Sequence, residues 1–69
     1  MRFKIGDRVC LKVEKEFADG KKILAGACGI VQDVYEIFEA YLIKFEGVRL
    51  PRMIPENDLL AGKKRRVAH

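Results

Sequence analysis

Two short stretches constrain this chain more than any others. They are Gly6-Asp7-Arg8-Val9 and, about twenty residues later, Gly26-Ala27-Cys28-Gly29-Ile30-Val31-Gln32-Asp33-Val34. Each sets a tight turn directly ahead of a β-branched run. Glycine reaches backbone angles that other residues avoid, and valine and isoleucine suit a pleated, half-buried surface. Together they predict the first two strands of a small, strongly bent all-β domain.

The runs that follow support this. From Arg8 to Glu14 the chain alternates, with Val9, Leu11 and Val13 on one face and Cys10, Lys12 and Glu14 on the other. Period two is the mark of a half-buried strand. Lys15 to Ala25 is charged and centred on Asp19-Gly20, which predicts a long loop or splayed hairpin. Cys28 to Tyr35 reads as a second strand. Val31 and Val34 sit three apart, so a bulge near Gln32-Asp33 is needed for both to face inward.

Residues 34–46 carry two signals. Val34, Ile37, Phe38, Tyr41, Leu42 and Phe45 follow helical spacing, and Asp33 with Glu36 mimics a capping box. Yet Tyr41, Ile43 and Phe45 also alternate with Leu42, Lys44 and Glu46 in a β-rich run. A hairpin turning at 36–39 would lack Gly, Asn and Pro at its tip. Beyond Gly47, Val48 to Ile54 reads as a fourth strand at an edge, because Pro51 cannot donate a ladder hydrogen bond. Pro55-Glu56-Asn57-Asp58 predicts one 3-10 turn, delivering Leu59-Leu60 as a short closing strand.

At 69 residues the chain is a single domain, yet 49% of it is hydrophobic. A domain this small buries only about 60% of the surface its unfolded chain exposes, so some apolar side chains stay outside or meet a partner. Residues 1–62 hold ten basic and ten acidic side chains, and the whole net charge of +4 sits in Lys63-Lys64-Arg65-Arg66. Residues 1–61 therefore read as a neutral folded unit, and 62–69 as a basic, flexible tail.

Cys10 and Cys28 form no C-x-x-C motif, and His69 is the sole histidine, so the spacing of a zinc site is missing. Two reduced, partly buried thiols are expected rather than a disulfide. Met1-Arg2-Phe3-Lys4 leads into charged residues with no apolar signal-peptide core. No run reaches the roughly 18 apolar residues of a membrane span. The chain reads as cytoplasmic, with no cofactor.

Gly26-x-x-Gly29-x-Val31-x-x-Val34 following Gly6-Asp7-x-Val9 resembles the KOW-type pattern of SH3-like barrels in ribosomal and transcription-elongation proteins. Gly29 to Glu36, Glu39 to Glu46 and Ile54-Pro-Glu-Asn-Asp-Leu59 are similar to a family of small uncharacterised bacterial barrel proteins. The resemblance implies a five-stranded SH3-like barrel with a 3-10 turn before the last strand. It also favours the hairpin over the helix in 34–46. It implies no function, because that family has none assigned and one fold hosts many.

Two other resemblances fail residue by residue. Tyr41 to Gly47 is similar to a chromodomain strand, but only Phe45 supplies a ring of the methyl-lysine cage, and Met53 stands where a Trp belongs. Type II dihydrofolate reductases also begin with Gly-Asp-Arg-Val. Their cofactor strand corresponds to Val48-Arg49-Leu50-Pro51, which keeps only the valine.

No poised acid, base or nucleophile with an orienting neighbour is visible, so a non-catalytic binding module is expected. Ile37, Phe38, Leu42, Ile23 and Leu24 are the apolar residues left outside by alternation and loops. They predict a surface for self-association or a protein partner, with edge strands as a second route. The alternative has Ile37 and Phe38 folding back over the mouth of the domain. KOW-like nucleic-acid binding would need Arg2, Lys4, Lys21 and Lys22 to converge with Lys63, Lys64, Arg65 and Arg66. An accessory barrel subunit of a larger enzyme is a further alternative. No small-molecule substrate is expected.

Overall fold

The glycine-led turns do what their sequences predict, and they do it to the same ladder. In this computed structural model, which describes residues 1–62, strands β1 (Arg8–Leu11) and β4 (Cys28–Tyr35) pair antiparallel. Gly6 and Gly26 both lie in the left-handed region, at φ 94° and 93°. The Gly6 N–H donates to the Val31 carbonyl and the Gly26 N–H to the Leu11 carbonyl, at 2.9 and 2.8 Å. The residue after each glycine completes the exchange: Asp7 O accepts from Val31 N, and Ala27 O from Leu11 N. Each end of the ladder is thus a bulge that only a residue tolerant of positive φ closes without strain.

Around this pair stand β2 (Lys15–Glu16), β3 (Lys22–Ile23), β5 (Ala40–Phe45), β6 (Arg52–Pro55), a 3-10 turn (Glu56–Asp58) and β7 (Leu59–Ala61). The described residues therefore form an all-β fold of seven strands in two sheets rather than five strands. The larger sheet has the order β6-β5-β4-β1-β7 and is antiparallel throughout. It is open, with β6 and β7 at its edges, and not closed into a barrel. The two extra strands are the β2–β3 hairpin, turned at Asp19-Gly20, where Gly20 takes φ 85°.

Residues 34–46 form a hairpin, not a helix. β4 pairs with β5 from Gly29↔Phe45 to Tyr35↔Ala40, and the register slips between Val31 and Asp33. That slip is the bulge the valine spacing calls for: Val31 is buried and Val34 packs against the core. Tyr41, Ile43 and Phe45 are fully buried beside Val9, Leu11, Ile54, Leu59 and Phe3. The helical spacing loses because these residues meet two neighbouring strands, a contact no local pattern reports.

Three expectations need correction. β1 ends at Leu11, so Val13 is exposed rather than inward. The Lys12 N–H makes one more bond on the β7 side, to the Asp58 carbonyl (2.7 Å), and the backbone bends at residues 12–13. Val48–Pro51 is a connection and not part of a strand. There Gly47 takes φ 77°, and the Lys44 ammonium donates to the carbonyls of Phe45 and Val48. Lastly, Cys10 and Cys28 are joined by a disulfide. They are directly opposite in the β1–β4 register. The adjacent Leu11 N–H is bonded across to Ala27, so the cysteines fall at a non-hydrogen-bonded position, where cross-strand side chains lie closest.

Two measurements check the ladder. Gly29 faces Phe45, and a Cβ there would stand 2.4 Å from the Lys44 carbonyl oxygen and 2.7 Å from the Phe45 Cα. Because both are backbone atoms, Gly29→Ala should destabilise the domain by at least about 2 kcal/mol, read as a lower urea midpoint. Reducing the disulfide, which spans a sequence separation of 18, should cost about 3 kcal/mol in the same assay.

Candidate functional site

The β4–β5 hairpin turns through residues 36–39 by two short-range bonds. Phe38 N donates to Tyr35 O (3.2 Å), and Glu39 N to Glu36 O (3.0 Å). The left-handed position that such a turn needs is filled by Glu39, at φ 48°. The Glu39 carbonyl also accepts the Glu56 N–H at 2.8 Å, tying the tip to the 3-10 turn. The tip is therefore fixed without glycine, and two consecutive large apolar side chains ride on it. Ile37 is 91% exposed and Phe38 68%. They do not fold back over the core. Beside them lies a shallow hollow of ≈ 360 Å³ lined by Val34, Tyr35, Glu36, Ile37 and Phe38.

The other apolar residues expected at this surface are elsewhere. Ile23 is only 5% exposed and belongs to the core, because its β3 position points inward opposite Lys15. Leu24 is exposed but precedes β4, whereas the tip follows it. An eight-residue strand separates them by roughly 25 Å. Leu42 is half-buried on the outer sheet face, opposite Met53 and Asp33. A single patch of all five does not form, because Ile23 is buried and Leu24 lies at the other end of β4 from the tip.

The basic candidates also divide. Lys21 and Lys22 line a cleft of ≈ 520 Å³ between the β2–β3 hairpin and the β5–β6 connection, together with Asp19, Ile23, Gly47, Val48, Arg49, Leu50 and Arg52. Arg2 and Lys4 line no part of it. The Arg2 guanidinium lies over the Phe3 ring, 4.9 Å from its centroid, and the Lys4 N–H bonds the Asp7 carboxylate (3.0 Å). Lys63, Lys64, Arg65 and Arg66 lie outside the described residues. Arg49 and Arg52 join the cleft with no pattern in the sequence to mark them, since only the fold sets the Asp19-Gly20 and Gly47 turns side by side. Arg52 stacks on Phe17 (4.7 Å) and bonds Asp19 (2.7 Å), while its buried Nε has no hydrogen-bond partner among the described residues. The Arg52 guanidinium holds the Asp19 carboxyl below its ordinary value.

A second network pins the N-terminal segment. The buried Tyr41 hydroxyl accepts the Phe3 N–H (3.0 Å) and donates to the Glu56 carboxylate, which also takes the Arg2 N–H (2.7 Å). The Phe3 ring meets Tyr41 edge-on, 5.5 Å between centroids. The Tyr41 hydrogen bond, then the Arg2 N–H, lower the Glu56 carboxyl below its ordinary 4.5. Burial first, then Glu56, raise the Tyr41 hydroxyl above 10.0.

Chemically, these residues offer contact surfaces. Cys10 and Cys28 are bonded to each other, and among the described residues no group of three or more His, Cys, Asp or Glu is placed to hold a metal ion. Phe45, the one chromodomain ring, is wholly buried. No helix of the described residues is long and apolar enough to cross a membrane. Comparison with protein-family models, curated proteins and solved structures finds no match to this chain.

The Tyr41–Glu56 network makes stability pH-dependent with a definite sign. A depressed carboxyl stabilises above its unfolded value, so that contribution is lost as pH falls from 4.5 through the folded value. The raised Tyr41 acts oppositely, losing its contribution as pH rises beyond 10.0. Glu56→Gln should flatten the acid limb of melting temperature against pH. An acid limb as steep as wild type would remove Glu56 from this role.

Proposed function

We propose that this chain is a non-catalytic binding module on the SH3-like plan that pairs with a second copy of itself through the β4–β5 hairpin tip. The carrying observation is the rigid, outward Ile37-Phe38 pair beside its own hollow. A knob and a hollow on one turn are self-complementary. Under a two-fold axis, Phe38 of each copy enters the hollow lined by Val34 and Tyr35 of the other. The SH3-like plan draws support from the β6-β5-β4-β1-β7 order and the 3-10 turn before β7. Its open edges leave full closure of the barrel as part of the proposal.

The tip is small, so the pair belongs with weak, exchanging interfaces that bury less than about 1,200 Å² in total. The Phe38 ring of each copy adds about 2 kcal/mol when taken from water. A reducing, cytoplasmic compartment would open the Cys10–Cys28 bond, and an oxidising one would keep it. The tip sits at the opposite end of β4 from Cys28, so the pairing surface is the same in either case.

Sedimentation velocity across a concentration series tests the reading. Wild type should shift from monomer to dimer at micromolar to high-micromolar concentration. Phe38→Ser should remain monomeric with an unchanged melting curve, since the side chain contributes nothing to the core. A wild-type chain that stays monomeric throughout would sink the proposal.

A further inference from the structure

The neutral charge balance of residues 1–62 conceals a local surplus. Four cations line the cleft between the β2–β3 hairpin and the β5–β6 connection: Lys21, Lys22, Arg49 and Arg52. Two of them have carboxylate partners. Arg52 is bonded to Asp19 at 2.7 Å, and Lys22 stands 3.5 Å from Glu14 with both side chains about half exposed. Among the described residues, the Lys21 ammonium and the Arg49 guanidinium have no ion-pair partner. The cleft therefore carries a surplus of two positive charges, in a recess whose low-dielectric walls concentrate the field.

Its walls are not interchangeable with open surface. Ile23 is buried beneath it, and Val48 packs against the core. The Val48 carbonyl is held by the Lys44 ammonium, and Leu50 lies exposed at the edge. On the other side Arg52 is clamped between the Phe17 ring and Asp19, and its side chain is only 14% exposed. Both walls are thus anchored to the domain, one through Lys44 and the other through Arg52. A volume of ≈ 520 Å³ falls in the range of small-ligand sites.

We propose that this cleft binds a phosphate monoester carried on a small apolar body. The phosphate sits between Lys21 and Arg49, with Lys22 at the rim, and the body rests on Val48 and Leu50. The charge argument selects the head group. A phosphate monoester carries about −1.5 to −2 at neutral pH, which matches the surplus, and offers three acceptor oxygens to the lysine and arginine donors. Arg52 does not contact the phosphate; it positions the wall. This site shares no residue with the hairpin tip, so it stands or falls separately from self-association.

The test is a titration of the full chain with phenyl phosphate, following backbone amide shifts by two-dimensional NMR. Inorganic phosphate and benzyl alcohol serve as the head alone and a neutral apolar body. Phenyl phosphate should give saturable shifts confined to residues 19–23 and 47–52, weakening as salt is raised. Inorganic phosphate should bind more weakly, and benzyl alcohol should produce no saturation at the cleft. Lys21→Gln and Arg49→Gln, both at exposed positions, should each weaken binding about tenfold, while Phe38→Ser should leave it unchanged. Shifts that never saturate or scatter over the surface would overturn the site. So would unaltered binding in both cleft variants. Equal binding of inorganic phosphate would overturn the apolar half of the assignment.

Discussion

The β1–β4 ladder is the interaction on which the larger sheet depends. β7 pairs with β1, β5 with β4, and β6 reaches the sheet only through β5. Every longer-range pairing therefore starts from this one. Its ends are set by Gly6 and Gly26, whose N–H groups reach across to Val31 and Leu11. Its interior is set by the Cys10–Cys28 bond and by Gly29, where a side chain has no room against the β5 backbone. Register and spacing are thus specified within a few residues.

That dependence explains where the candidate sites fall. β4 is the longest strand, and its two ends lead to different surfaces. Its far end runs into the hairpin tip, where Glu39 absorbs the left-handed angle and leaves positions 37 and 38 free for apolar side chains. The connections at the other side of the sheet, around Asp19-Gly20 and Gly47, are brought together into the basic cleft. One surface carries Ile37 and Phe38, and the other Lys21, Lys22, Arg49 and Arg52. A formally neutral body can therefore present two chemically distinct faces.

Much of the strand layout was legible because its cause is local. Alternation at Val9 and Leu11 marks β1, the glycines mark its ends, and the Val31–Val34 spacing marks a bulge that the register shows. The helix-like spacing of residues 34–45, which competes with the hairpin in the sequence, has a physical reason. A strand with a bulge and a four-residue turn can place its apolar residues at the same intervals as a helix. Val13 continues the alternation past Leu11, but the strand ends there and leaves it exposed. The cysteines meet because register sets them opposite each other across two strands, which a separation of 18 residues does not reveal.

The candidate sites divide along the same line. Ile37 and Phe38 are exposed once residues 36–39 form the hairpin turn, which in the sequence competes with a helical spacing. Ile23, by contrast, is buried by residues distant in the chain, and Arg49 and Arg52 gain their meaning only from the loop opposite. The chain by itself determined that the fold is built of strands, where glycine must bend the first pair, and that residues 1–62 are neutral. Tertiary structure alone decided which cysteines meet, which apolar residues are covered, and which cations share a cleft. Those outcomes depend on long-range pairing through β1 and β4, and no pattern within a single segment encodes them.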